Sequence, residues 1–438
     1  MKEKIRLTLK NRDIMKRIWF TLLILVVVRF GSQLPIPGTD RNYFMNWFAN
    51  QNTNGALNFF SAFTGGSFER MSVLALNITP YITSSIIVEL LTIAIPALEE
   101  MQRDGEDGRR KLTKITRYLT VGLSFFEGTA MAIGFGRSGL IPDMNALSVL
   151  CVIFSLTAGS SLVMWLGERI TESGIGNGIS IVLLANIISG IPQDITSLFT
   201  MFVSGKTPAK AILAAAVITA VIVATIAFVI LLTDAVRKIP VMYAQKTAGR
   251  RTVQGQNSAI PLKVNTAGVI PVIFASSLLS IPQIILSVTG HSAGGAWAKI
   301  LGALNQGNWF DFSHPYYMAG LVLYVVLIVF FAYFYTSITF NPIEVADNLK
   351  KSGGQIPGIR AGKPTQEYLG RVLDGVIFIG AVGLTIAVLI PVFFGGVFHA
   401  NVSFGGTSLI IIAGVILETL QQIDAKLVVG SYSSFLAS

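Results

Sequence analysis

Two carboxylates, Glu89 and Glu127, fall inside long apolar runs. A charge in such a place costs about 2.5–3.5 kcal/mol on insertion scales, so the group normally faces a cavity or a partner. Two chemistries fit: a proton or ion relay, or a structural hydrogen bond to a neighbouring helix. A relay needs a chain of ionisable groups. The apolar runs between about residues 175 and 288 offer no buried partner, which favours the structural role. No other chemistry is well founded. Gly205-Lys206-Thr207 has the end of a phosphate loop, but Thr200 stands where its first glycine belongs, and Gly362-Lys363 is followed by Pro364 with Pro357 at the glycine position. Neither can cradle phosphates. The glycines of Gly174-Ile175-Gly176-Asn177-Gly178 follow no strand and read as a flexible turn with close helix packing. The histidines (His291, His314, His399) stand in separate connections, and the single cysteine, Cys151, lies in an apolar run. No metal site or disulfide framework is expected. Asn77-Ile78-Thr79 and Asn401-Val402-Ser403 match the glycosylation triplet, but the first lies within a span, and both are dismissed.

What remains is aliphatic. Ile78 and Ile82 stand four residues apart, as do Ile179 and Leu183, so each pair shares one helix face. Such pairs arise everywhere in apolar spans and by themselves mean nothing.

The elements that must carry these residues are membrane spans. Of the 438 residues 52% are hydrophobic and 13% charged, against about 25% charged in soluble proteins. Ten candidate spans are read at about 18–34, 71–97, 118–136, 146–166, 175–191, 209–232, 267–288, 316–340, 372–394 and 407–428. The first resembles a signal peptide but runs on through Arg29 to Pro35-Ile36-Pro37-Gly38 without a small-residue cleavage site, so it is read as retained. The tenth carries Glu418, Gln421, Gln422 and Asp424, so its far end needs protein or water around it. Before the second span lies a short apolar piece, Ala56 to Gly66, too short to cross a bilayer. It leads through Glu69 and Arg70 into a run seeded with Asn77, Thr79, Thr83, Ser84, Ser85, Glu89 and Thr92. Non-helical backbone at membrane depth is tolerated only where protein or water satisfies it. A cavity or pore within a helix bundle is therefore expected.

Orientation follows from the cations. Of the 33 Lys and Arg residues, seven (Arg29, Arg41, Arg70, Arg137, Lys206, Lys210, Lys299) fall on one face and the rest on the other. The basic face is the cytoplasmic one, which puts both ends of the chain there. Two long basic connections, about 233–266 and 341–371, lie on that face. Their charge suits an anionic partner, lipid headgroups or nucleic acid, although topology alone also demands basic loops there. Spans 1–5 and 6–10 form equal halves, the second inverted, as is common in transport folds; a connection of about 192–208 joins them, and residues 1–17 form a basic N-terminal segment.

Several strings decide the family. They are Gly105-Glu106-Asp107-Gly108-Arg109-Arg110-Lys111, Trp165 through Ser180, Pro261-Leu262-Lys263-Val264-Asn265-Thr266-Ala267-Gly268-Val269-Ile270-Pro271, Asn341-Pro342 through Gly353, Pro357-Gly358-Ile359-Arg360, and Gly405-Gly406-Thr407-Ser408-Leu409. In this order and spacing, from about Ile14 to Tyr432, the chain resembles the SecY family, the central subunits of the bacterial Sec protein-translocation channel.

The resemblance implies an all-α polytopic membrane protein of ten helices in two halves around an hourglass pore. It implies a pore ring at Ile78, Ile82, Ile179, Leu183, Ile273 and Ile411, with Leu183 where isoleucine is often seen. It implies a plug at about residues 56–70, including Leu57, Phe59, Phe60, Phe63, Gly65 and Gly66. A lateral gate between spans 2 and 7 is implied, with Thr83, Ser84, Glu89, Thr92, Asn265 and Ser277 near the seam. Glu89 and Glu127 fall where glutamine is common. Arg250, Arg251 and Arg360 on the basic loops are the implied contacts for the ribosome or the motor ATPase SecA. The small subunits SecE and SecG, polypeptides bearing signal sequences and anionic lipids are the other implied partners, and no cofactor is. A secondary transporter would instead need a polar site at midplane, and a membrane-embedded enzyme paired catalytic groups.

Overall fold

The computed structural model describes residues 11–51, 61, 63–136, 139, 141–142, 144–202, 208–243, 246–248, 251–253, 258–289, 296–305, 308–310, 314–398 and 406–436. Helices dominate because lipid offers no partner for a free backbone N–H or C=O, so each span must satisfy its own.

Helix α1 (Arg12–Gly31) starts at Asn11, whose side-chain oxygen accepts from the N–H groups of Asp13 and Ile14. Helix α2 (Arg41–Gln51) follows, with Asp40 accepting in the same way from Asn42 and Tyr43. Next come α3 (Thr79–Ala94) and α4 (Pro96–Arg103), bent by 109° from one another. The bend falls at Ile95, which Pro96 holds extended at φ −115° and ψ 109°.

The second span is thus shorter than the expected 71–97. Residues 71–78 are not helical: Met71 and Asn77 adopt left-handed φ of 42° and 50°. Their backbone is satisfied from another segment. The Ile36 N–H donates to the Met71 carbonyl at 3.1 Å and the Val73 N–H to the Leu34 carbonyl at 2.9 Å.

The bundle continues with α5 (Glu106–Phe135), α6 (Ala146–Ser173), α7 (Gly178–Phe202) and α8 (Pro208–Asp234). After the strands described below come α9 (Ile270–Thr289), α10 (Ala296–Leu304), α11 (Met318–Thr339), α12 (Pro342–Lys351), α13 (Lys363–Phe398) and α14 (Gly406–Leu436). Helix α7 extends through residues expected in the connection near 192–208. Among the described residues seven helices are long and apolar enough to cross a membrane, and an eighth if the bent α3–α4 pair counts as one span. The expected first and seventh spans fall on α1 and α9. Helix α5 packs against α3 and α6, α9 against α11, and α14 against α7, α8 and α13.

The two basic connections are not loops. Strand β1 (Val236–Tyr243) pairs antiparallel with β4 (Ser258–Lys263), Ile239 facing Ile260, and carries the short hairpin of β2 (Lys246–Ala248) and β3 (Arg251–Val253). From the second connection β5 (Gly354–Gln355) joins the free edge of β1 at Met242 and Tyr243. Ile239, Val241, Leu262, Ala346, Leu349, Ile356 and Leu369 form one shared core. Strand β1 alternates inward Ile239 and Val241 with outward Lys238, Pro240 and Met242, the period of a half-buried strand. The two basic stretches form a single folded platform on α13.

Candidate functional site

The six expected ring residues come from four separate elements. Ile78 caps α3 and Ile82 is in its first turn; Ile179 and Leu183 lie on α7, Ile273 on α9 and Ile411 on α14. All six belong to one apolar cluster, with Ile78, Leu183, Ile273 and Ile411 buried and Ile82 and Ile179 packed against them. The four-residue spacing of each pair puts both members toward this centre. No side chain in the ring can form a hydrogen bond.

On one side of the cluster a cavity of about 410 Å³ opens toward the end of the bundle where α6 stops and α7 starts. Its walls differ in chemistry. Ile82 and Ile86 of α3 face Ile270 and Ile273 of α9 on the apolar side, whereas Arg117, Glu168, Thr171, Glu172 and Asn177 make the polar side. Arg117 Nε donates to Glu168 Oε1 at 2.8 Å, joining α5 to α6. Arg169 reaches Glu172 at 3.0 Å and lies over the Trp165 ring. Glu89 also lines the cavity and is half-buried.

Phe63 is a buried member of the same cluster and does not line the cavity. The next residues fold tightly. Ser61 donates to the Glu69 carboxylate, and Thr64 Oγ1 donates to the Ser61 carbonyl and accepts from the Phe68 N–H. Gly65 and Gly66 take φ of +63° and +75°, a conformation that glycine adopts at little cost. Arg29 of α1 donates to the Gly65 carbonyl at 3.3 Å. Of the other expected plug residues, Leu57, Phe59 and Phe60 lie outside the described residues.

The expected gate residues are dispersed. Thr83, Ser84 and Thr92 spend their hydroxyls on carbonyls of α3 itself, at Thr79, Pro80 and Glu89. Asn265 lies in the turn before α9, buried near Gly380 of α13. Ser277 is exposed on α9. Of the expected contact residues, Arg360 is exposed beside the platform, Arg251 begins β3, and Arg250 lies outside the described residues.

The glycine-rich turn between α6 and α7 is a junction. A Cβ on Gly178 would lie 1.9 Å from the Gly167 carbonyl oxygen, so the two helices touch through bare backbone. The turn is held by three side chains from two helices: Thr21 Oγ1 of α1 accepts from the Ile175 N–H, Gln422 of α14 accepts from the Gly176 N–H at 3.0 Å, and Lys426 of α14 donates to the Gly174 carbonyl. This accounts for Gln422 among the polar residues in the last span. In the sequence Arg29 and Arg117 read only as topological charge, and Asn186 within α7 does not stand out. The available signal was a polar group inside an apolar run. Among the described residues no three His, Cys, Asp or Glu side chains gather to hold a metal ion.

Comparison with known proteins agrees with this architecture. The SecY family model matches residues 72–420. The protein translocase subunit SecY of Streptomyces griseus is 42% identical over 98% of both chains. A solved SecY translocation channel, studied for the plug domain that keeps its membrane seal, superposes with a TM-score of 0.64 at 18% identity over 94% of this chain and 92% of that one. Sec61 in a canine ribosome–channel complex from the endoplasmic reticulum gives 0.58 at 16% identity, over 94% and 93%. With the family model matched over residues 72–420 and a translocase subunit 42% identical along nearly the whole chain, the chain belongs to the SecY family of protein translocase subunits.

Proposed function

We propose that the chain forms a passive pore through which unfolded secretory polypeptides cross the bacterial cytoplasmic membrane and from which apolar segments leave sideways into lipid. The observation that carries this is the convergence of Ile78, Ile82, Ile179, Leu183, Ile273 and Ile411 on one cluster, which includes Phe63 and borders the polar-walled cavity. A narrow aliphatic constriction sheds water when closed, so ions are excluded. The same side chains yield around a peptide without binding it tightly. The cavity is the cytoplasmic entrance, residues 61 and 63–70 are the described part of the plug, and both ends of the chain are cytoplasmic.

The gate lies between α3 and α9, whose Ile82, Ile86, Ile270 and Ile273 face one another across the cavity. Each Leu, Ile, Phe or Val of a passing segment gains about 0.3–0.6 kcal/mol at the membrane centre, enough to sort segments once a path exists. The driving force comes from a partner, SecA or the ribosome, seated on the platform with Arg250, Arg251 and Arg360 as contacts. SecE and SecG complete the complex, and anionic lipids meet its basic rim.

Replacement of Ile82 and of Ile411 by Asn tests the reading. A polar group in the waist admits water, so vesicles carrying either variant leak ions and the channel accepts defective signal sequences. Loss of uptake of one small solute, without leak, would instead identify a solute transporter.

A further inference from the structure

Two amide side chains stand beside the ring on the side of Phe63. Asn77 directly precedes Ile78, and Asn186 lies three residues after Leu183 on α7. Both are fully buried. Asn77 Nδ2 reaches the Thr64 carbonyl only at 3.5 Å. Asn77 Oδ1 and both side-chain polar atoms of Asn186 have no hydrogen-bond partner among the described residues. The Asn186 backbone lies directly against the plug turn, since a Cβ on Gly65 would stand 3.0 Å from Asn186 Cα.

The turn divides two differently held pieces of chain. Upstream, Phe63 sits in the waist. Downstream, Phe68 is clasped edge-on by Phe44 and Phe135, with centroids 5.6 and 6.4 Å away, and residues 71–73 are hydrogen-bonded to residues 34–36. Between them lie the two left-handed glycines. The upstream piece therefore has a pivot at Gly65–Gly66 and a fixed root beyond it.

We infer that Asn77 and Asn186 form an amide collar under the turn that weights the plug toward release. Seating the turn takes these amides out of bulk water and gives them no adequate partner among the described residues. A buried amide left unpaired is penalised, and one paired to a confined water immobilises that water. Lifting the turn about Gly65–Gly66 returns the amides to water and removes either penalty. An apolar side chain of similar size would carry no such penalty and would hold the plug shut. The apolar waist makes the seal, and the collar keeps it easy to open. The inference rests on the reading of the segment of about 56–70 as a plug.

The test uses the complete channel complex in vesicles, with Cys151→Ser to remove the native thiol. Ser61→Cys, buried at the plug, reports opening through its labelling rate with a water-soluble maleimide, at rest and with a stalled polypeptide in the pore. The expected result is shielding at rest, fast labelling when engaged, and resting labelling slowed about fivefold or more by Asn186→Leu. Equal labelling in both states overturns the plug reading itself. Shielding at rest combined with an Asn186→Leu rate at or above wild type overturns the collar. Protease resistance checks assembly, and Asn186→Val decides the matter in the same way if the Leu variant fails to assemble.

Discussion

Arg117 Nε donates to Glu168 Oε1 at 2.8 Å across the polar wall of the cavity, although the residues are 51 apart in the chain. The carboxylate is largely shielded and the guanidinium less so, with relative side-chain exposures of 14% and 44%. Half-exposed pairs are weakly stabilising, about 1 kcal/mol or less. Glu168→Ala is therefore expected to lower the stability of the purified channel by about 1 kcal/mol or less, and Arg117→Ala by somewhat more, because it leaves the shielded carboxylate unpaired. A double-mutant cycle on thermal unfolding in detergent isolates the pair. A coupling energy of zero would mean that α5 and α6 are held by packing alone.

Much of this arrangement was legible in the sequence, and the rest fails for identifiable reasons. Helical spans follow from apolar length. The pairing of Ile78 with Ile82 and of Ile179 with Leu183 follows from the 3.6-residue turn. The non-helical course of residues 71–78 does not, because Met71 and Val73 pair with Ile36 and Leu34, a segment without strand character of its own, and Asn77 turns left-handed with its N–H on the Leu74 carbonyl. The platform was half-legible: Ile239 and Val241 alternate as a strand should, but Pro240 and the surrounding charges resemble a loop. Pro240 is tolerated because β5 joins β1 only at Met242 and Tyr243, so no ladder needs its missing N–H on that edge. The hold of Gln422 and Lys426 on the α6–α7 turn joins residues about 250 apart, and no local pattern carries it.

Arg360 offers a test of the platform as a docking surface. Its side chain is exposed, while its carbonyl accepts from Thr365 Oγ1 at 2.8 Å and the turn before it is closed by Ile359 N–H to Ile356. Reversal of the charge leaves these backbone contacts in place. Arg360→Glu is expected to insert in the membrane normally, to keep wild-type protease resistance, and to lose SecA-driven export of a precursor into vesicles by about tenfold or more, because like charges across an interface cost several kcal/mol. Export at the wild-type rate would remove Arg360 from the contact.

The adjacent glycines Gly65 and Gly66, in the turn proposed above as plug, predict different outcomes for the same substitution. Both have left-handed φ, so alanine at either strains the backbone by about 1–2 kcal/mol. Their surroundings differ. A Cβ on Gly66 meets nothing within 4 Å, whereas one on Gly65 would come within 2.6 Å of the Arg29 guanidinium and 3.0 Å of the Asn186 Cα and carbonyl oxygen. The guanidinium can swing aside at the loss of its hydrogen bond to the Gly65 carbonyl, but helix backbone cannot. Gly65→Ala should therefore lift the turn off α7 and withdraw Phe63 from the waist, and vesicles carrying it should leak ions at rest. Gly66→Ala should leak far less. Equal leak from the two variants would mean that φ strain alone governs the turn and that its contact with α7 contributes nothing to the seal.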